Sequence, residues 1–260
     1  MLFQLIDQKI RQAFSDAAMY YDVLTSLHKE IGRELVKKIV PIEQNGTILD
    51  IGMGTGWLTN KIKFYFPTSK VVGLDFAEGM IERAKDQNEG FDIIQADANV
   101  LPFRDNTFDI IISNLSFQWI QDLPQAFRLC HSTLRQDGAL VFTMFGYHTF
   151  DELFISLEKT QNNGGVLPIH RLVTDQQVLK ALQQSGFQHV KVDYERIKVR
   201  FVDMMSLVKW IKNIGANGLP KEIFVGKEWL NRASDYYEEH FKDRLGIYST
   251  FEVIWCEAEK

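Results

Sequence analysis

Apolar residues recur every three or four positions along the first forty residues: Phe3, Ile6, Ile10 and Phe14, then Leu24, Leu27, Ile31 and Leu35. That spacing predicts two helices, the second stopped by Pro41. From residue 47 the pattern changes. Short apolar runs alternate with amphipathic stretches: TILDIG, a helix from about Trp57, KVVGLD, the helix AEGMIERAKDQ, FDIIQAD, FDIIISNLSF, a helix through Phe127 and Leu134, and GALVFTMFG. Strands that are apolar throughout are covered by helices on both faces. Strand and helix in turn predict an α/β fold with a doubly wound, mostly parallel sheet.

After Gly146 the regularity loosens. A helix is expected around 149–160, a break at Gly164-Gly165, and a helix from Thr174, which has capping-box spacing to Gln177 and a stop at Gly186. HVKVDYERIKVRF reads as a long strand, 203–243 as helical, and TFEVIWCEAE as a last strand. The chain is expected to be one domain, 1–260: N-terminal helices over 1–44, a core over 45–146, and helical insertions over 147–185 and 202–246. Insertions between late strands are where such folds place substrate-specific parts.

Composition changes little of this. At 45% hydrophobic and 24% charged residues, 260 residues can build a full core. The net charge of −5 offers no overall field for nucleic acid, and no uncharged run approaches the ~18 residues of a membrane span, so a cytoplasmic protein is expected. Cys130 and Cys256 have no second sulfur at metal-site spacing and read as small buried hydrophobes. The six histidines are scattered, none on the rim of a motif, and none is expected to act as a base.

Chemistry concentrates behind the first strand. Asp50 is followed by Gly52, Gly54 and Gly56, spaced G-x-G-x-G rather than the G-x-G-x-x-G that seats a pyrophosphate. An acidic strand end with a tight glycine loop suits a ligand bearing an ammonium group. The pattern resembles motif I of the class I S-adenosylmethionine-dependent methyltransferases. The second strand ends in Asp75-Phe76, where a carboxylate can accept hydrogen bonds from ribose hydroxyls. The third ends in Asp97-Ala98, where one can accept from an adenine amino group. Asn114 ends the fourth strand without the prolines that hold a nucleobase amine in base-methylating relatives. All these strand ends point into one crevice.

At greater length the chain resembles the malonyl-acyl-carrier-protein O-methyltransferases of biotin synthesis, through FSDAAMYYD, SNLSFQW, MFG, HRL, VKWIKNIGANG and TFEVIWCEAE. Leu172 departs from the aromatic common after the HRL arginine, and MFG from a threonine-containing form. The resemblance implies a seven-stranded Rossmann-like sheet, S-adenosylmethionine as cosubstrate with no metal, and transfer to the carboxylate of a malonyl thioester. It implies Tyr21 on an N-terminal lid, Gln118 and Trp119 lining the site, Arg171 meeting the malonyl carboxylate, and the insertions forming a substrate cap. A carboxylate is already ionised at neutral pH and needs orientation rather than a base.

The carrier protein is acidic. Arg196, Lys198 and Arg200 alternate along one strand and Lys209 and Lys212 share a helix, so both groups are candidate docking cations. Other readings remain open: a methyltransferase of a quinone-like acceptor, which would need a base, a donor-binding regulator without catalysis, or a nicotinamide oxidoreductase.

Overall fold

The computed structural model describes residues 2–39, 46–161, 172–216 and 226–260. Two helices lead the chain, α1 (Leu2–Leu24) and α2 (Ser26–Lys37). The alternating core follows: β1 (Thr47–Ile51), α3 (Trp57–Tyr65), β2 (Lys70–Asp75), α4 (Glu78–Asp86), β3 (Asp92–Gln95), β4 (Phe108–Asn114), α5 (Leu123–Thr133) and β5 (Leu134–Phe145). Then come α6 (Asp151–Thr160), α7 (Asp175–Gln184), β6 (Gln188–Phe201), α8 (Met204–Asn213), α9 (Lys227–His240), β7 (Lys242–Asp243) and β8 (Gly246–Glu259). Pro41 and Gly164-Gly165 lie outside the described residues.

The sheet runs β3-β2-β1-β4-β5-β8-β6, with the two-residue β7 paired to β8. Strands β1 to β5 are parallel, and β8 runs antiparallel to both β5 and β6. The seven long strands match the expected number, and β7 is an addition that no apolar run announced.

Period-two alternation decides which face each side chain serves. Leu49 and Ile51 of β1, Ile111 of β4, and Leu140 and Phe142 of β5 pack on one face against α5 and α7. Ile48, Ile110, Ile112 and Val141 pack on the other with α2, α3 and α4. Strand β5 starts earlier than GALV suggested, because Asp137 takes φ 61° and Leu134 already pairs with Phe108 across a register shift. The capping box of Thr174 and Gln177 is formed. Cys130 and Cys256 are both buried, and burial pushes the Cys130 thiol up to about 12.

Helices α6, α8 and α9 share a small core of their own, built on Leu153, Met204, Leu207, Ala233 and Tyr237. Helix α7, within the segment expected to be an insertion, instead covers the sheet through Val178 and Leu182. Of 147–185, α6 is the part that joins the second helical group.

Candidate active site

A crevice of about 760 Å³, open mouth included, lies at the carboxyl ends of β1 to β4, where strand order reverses between β1 and β4. Gly52 (φ 72°) and Gly54 (φ 57°) form its edge. A Cβ on Gly52 would stand 2.1 Å from Ser116 Oγ, so glycine is required there by both backbone and neighbour. The amides of Gly52 and Met53 both donate to the Leu74 carbonyl, which fastens the loop to the end of β2.

Asp75 stands beside this loop, its two carboxylate oxygens accepting from the Gly54 and Ala77 amides at 2.9 Å each. Each oxygen keeps a lone pair for a ligand hydroxyl. Burial raises its carboxyl above the usual range, and those amide bonds oppose the rise. Asp97 accepts from the backbone and side-chain amides of Asn99 at 2.8 Å, and with Ala98 and Phe76 it also lines the crevice. The acidic strand ends, the glycine edge and apolar Leu74, Phe76 and Ala96 fit an adenosine with a charged tail.

Three expected members stand elsewhere. Asp50 does not line the crevice: it shares strand parity with Ile48, so its carboxylate turns under the loop to accept from Thr59 Oγ1 at 2.7 Å. Its other oxygen is buried without a partner, and burial pushes the group up to about 7. Gly56 (φ 80°) caps α3 and lets Phe91 and Ala84 pack close, which is a structural duty. Gln118 turns its amide back to the Leu115 carbonyl at 2.7 Å, with Oε1 buried and unpartnered, rather than lining the crevice.

Helix α1 closes one side of the crevice with Ile10, Phe14 and Tyr21. It packs on α4 through Ala18 against Ala77 and Met80, and Asp22 accepts from Thr55 Oγ1 of the glycine loop at 3.0 Å. Burial, with Asp75 and then Asp22 adding, raises the Tyr21 phenol well above its usual range, so it stays protonated. Trp119 lines the crevice from a 3₁₀ turn after β4 and meets Phe14 edge-on at 5.2 Å. That turn is reached through Leu115, a buried residue with φ 53°, a conformation found where a site over-determines its backbone.

Asn114 lines the crevice, with its amide accepting from Thr143 Oγ1 at 2.8 Å and donating to the His28 carbonyl at 3.0 Å. His28 is the residue that sequence reasoning missed. It does not line the crevice, in keeping with the expectation that no histidine stands on a motif rim, but it lies beside it among Tyr21, Phe145 and Trp210 at the end of β5, and burial lowers it to about 4. Its helical spacing to Ile31 and Leu35 was the available signal.

Arg171 lies outside the described residues. On β6, Arg196 pairs with Glu252 at 2.9 Å, Arg200 with Asp243 at 2.6 Å, and Lys198 sits 4.0 Å over the Tyr248 ring. Lys209 and Lys212 are exposed on α8 and have no ion pair among the described residues.

The family model described as "Methyltransferase domain" matches residues 49–142. A malonyl-[acyl-carrier protein] O-methyltransferase of Geobacter sulfurreducens is 30% identical over 96% of this chain and 98% of its own. One of Methylococcus capsulatus is 29% identical over 95% and 92%. Among solved structures, the YcgJ protein of Bacillus subtilis superposes with a TM-score of 0.62 at 20% identity, covering 90% of this chain and 98% of that one.

Proposed function

Because the chain belongs to the malonyl-[acyl-carrier protein] O-methyltransferase family, we infer that it uses S-adenosylmethionine to methylate the free carboxylate of a malonyl thioester carried on acyl carrier protein. In the reaction a carboxylate oxygen bonds to the methyl carbon as the carbon–sulfur bond breaks, and its electron pair stays on sulfur. Methyl ester and S-adenosylhomocysteine result, with no proton moved. An early step of biotin synthesis in the cytoplasm belongs to the same reading. No helix among the described residues is long and apolar enough to cross a membrane.

The observation that carries this reading is the state of the titratable groups lining the crevice. Asp75 and Asp97 are engaged by backbone amides, and Tyr21 holds its proton. None is placed as a general base, so the acceptor that fits is one arriving already ionised. A quinone-like acceptor would have to lose a proton here, which makes it the weaker reading. Asp75 is the group for the ribose hydroxyls, Asp97 and Ala98 for the adenine, and Phe14, Tyr21 and Trp119 give the aromatic wall on which a sulfonium rests well. Arg171 keeps its proposed role at the malonyl carboxylate, and α6, α8 and α9 that of the substrate cap.

For docking, α8 is favoured over β6. Met205, Lys209 and Lys212 fall on one exposed helical face, while two of the three β6 cations are already neutralised by carboxylates.

The test is transfer of labelled methyl to malonyl-carrier protein, beside acetyl-carrier protein and malonyl-coenzyme A. Base-labile label on the malonyl carrier is the expected result. Absence of label on every malonyl thioester, with donor binding intact, overturns the reading.

A further inference from the structure

The imidazole of His28 stands where three separate parts of the fold meet. Tyr21 of α1 and Phe145 at the end of β5 meet its ring edge-on at 6.1 Å and 5.6 Å, and Trp210 of α8 lies tilted against it at 6.2 Å. Trp210 is itself fixed by its indole N–H, which donates to the Leu24 carbonyl at 2.8 Å. The backbone of His28 is fixed by Asn114, a crevice residue, and Gly32 one turn later leaves the room this needs, since a Cβ there would stand 3.2 Å from Asn114 Nδ2. The ring is therefore held one residue away from the donor crevice, on the side of β4 and β5.

Packing alone does not explain a histidine in this cage. His28 is 9% exposed, and its Nδ1 is buried with no hydrogen-bond partner. Leaving such a group unpaired forfeits its hydration with no bond in return, whereas phenylalanine would fill an aromatic cage without that cost. Buried polar atoms without partners are few in native proteins, and a ligand is one thing that can satisfy them. The burial that lowers the imidazole to about 4 keeps it neutral at physiological pH, with one N–H to donate.

We propose that His28 is an acceptor-binding residue whose Nδ1–H donates to one oxygen of the malonyl carboxylate, leaving the other oxygen to attack the methyl group. This rests on the carboxyl O-methyltransferase reading above. No proton is transferred and the imidazole leaves the step unchanged. An anion entering an aromatic cage needs such a donor, and a charge-assisted N–H to carboxylate bond is among the stronger ones. The same bond gives selectivity, because an acetyl thioester or the finished methyl ester cannot supply a charged acceptor and leaves Nδ1 less well paired.

His28→Phe and His28→Asn in the full chain test it, with donor affinity, kcat and KM for malonyl-carrier protein measured for each. His28→Phe is expected to stay folded and bind donor within twofold of wild type, with kcat/KM for malonyl-carrier protein down by about tenfold or more. His28→Asn keeps an N–H near the position of Nδ1 and is expected to recover part of the loss. A His28→Phe enzyme with kcat/KM within twofold of wild type overturns the proposal, as does a loss equal in both variants or one that follows weakened donor binding. Wild-type protein that methylates no malonyl thioester fails at the earlier step, and the role of His28 falls with it.

Discussion

Gly79 offers the sharpest test of α1 as part of the donor site. It lies in the first turn of α4, its amide donates to Ser15 Oγ at 3.3 Å, and a Cβ there would stand 2.4 Å from the Ser15 carbonyl oxygen of α1. Ordinary contact begins at 3.4 Å, so Gly79→Ala forces α1 back by about 1 Å unless α4 yields. A gap of that size forfeits roughly a quarter to a half of the dispersion energy of the contacts it opens, here those of Phe14, Ala18 and Tyr21 with Ala77 and Met80. Overpacking of this kind costs about 1–3 kcal/mol, while α4 gains up to about 1 kcal/mol in helix propensity. Global stability should therefore change little, with a midpoint shift of a few degrees. The cost should fall on the seating of α1 beside the crevice, and donor affinity should drop by about 5- to 150-fold. Calorimetric titration of Gly79→Ala with S-adenosylmethionine, beside limited proteolysis of α1, reads both effects. A folded variant with wild-type donor affinity and unchanged protection of α1 would refute the reasoning.

Gly52→Ala adds a left-handed alanine, costing about 1–2 kcal/mol, and a Cβ 2.1 Å from Ser116 Oγ, so donor binding should be lost with a lower melting midpoint. The fold holds His28 at about 4 against 6.5 unfolded, so its contribution to stability is lost as pH falls from 6.5 to about 4, by about 3 kcal/mol, and His28→Phe should flatten that limb of a denaturation series. Asp50 has the opposite sign: raised from 3.8 to about 7, it stabilises the fold at low pH and loses that contribution as pH rises to about 7, a trend that Asp50→Asn should remove. Arg196→Ala leaves Glu252, 5% exposed, without its cation and should cost about 1–2 kcal/mol of stability, discounted because the arginine itself is half in water. Charge reversal at Lys209 and Lys212 should instead raise KM for the carrier substrate several-fold with the melting midpoint unchanged, and an unaltered KM would remove α8 from docking.

The local pattern by itself determined the donor half of this protein. Apolar runs of strand length, glycines at every second position and acidic residues at successive strand ends can be read in order, because a parallel open sheet brings its carboxyl ends to one edge whatever fills the rest. The direction of Asp50 was not legible: it was expected in the crevice with the other strand ends, and only the packing of Ile48, two residues earlier, against α2 and α3 shows that this face turns away. Tertiary structure alone decided the rest. His28, Phe145 and Trp210 stand far apart in sequence and on three different elements, and no periodicity links them. The close fits of Gly79 on Ser15 and of Gly215 on Ala13 exist only once α1 is laid between α4 and the end of α8. Strand alternation specifies a face, but the neighbour that the face meets is chosen by the packing of the whole chain.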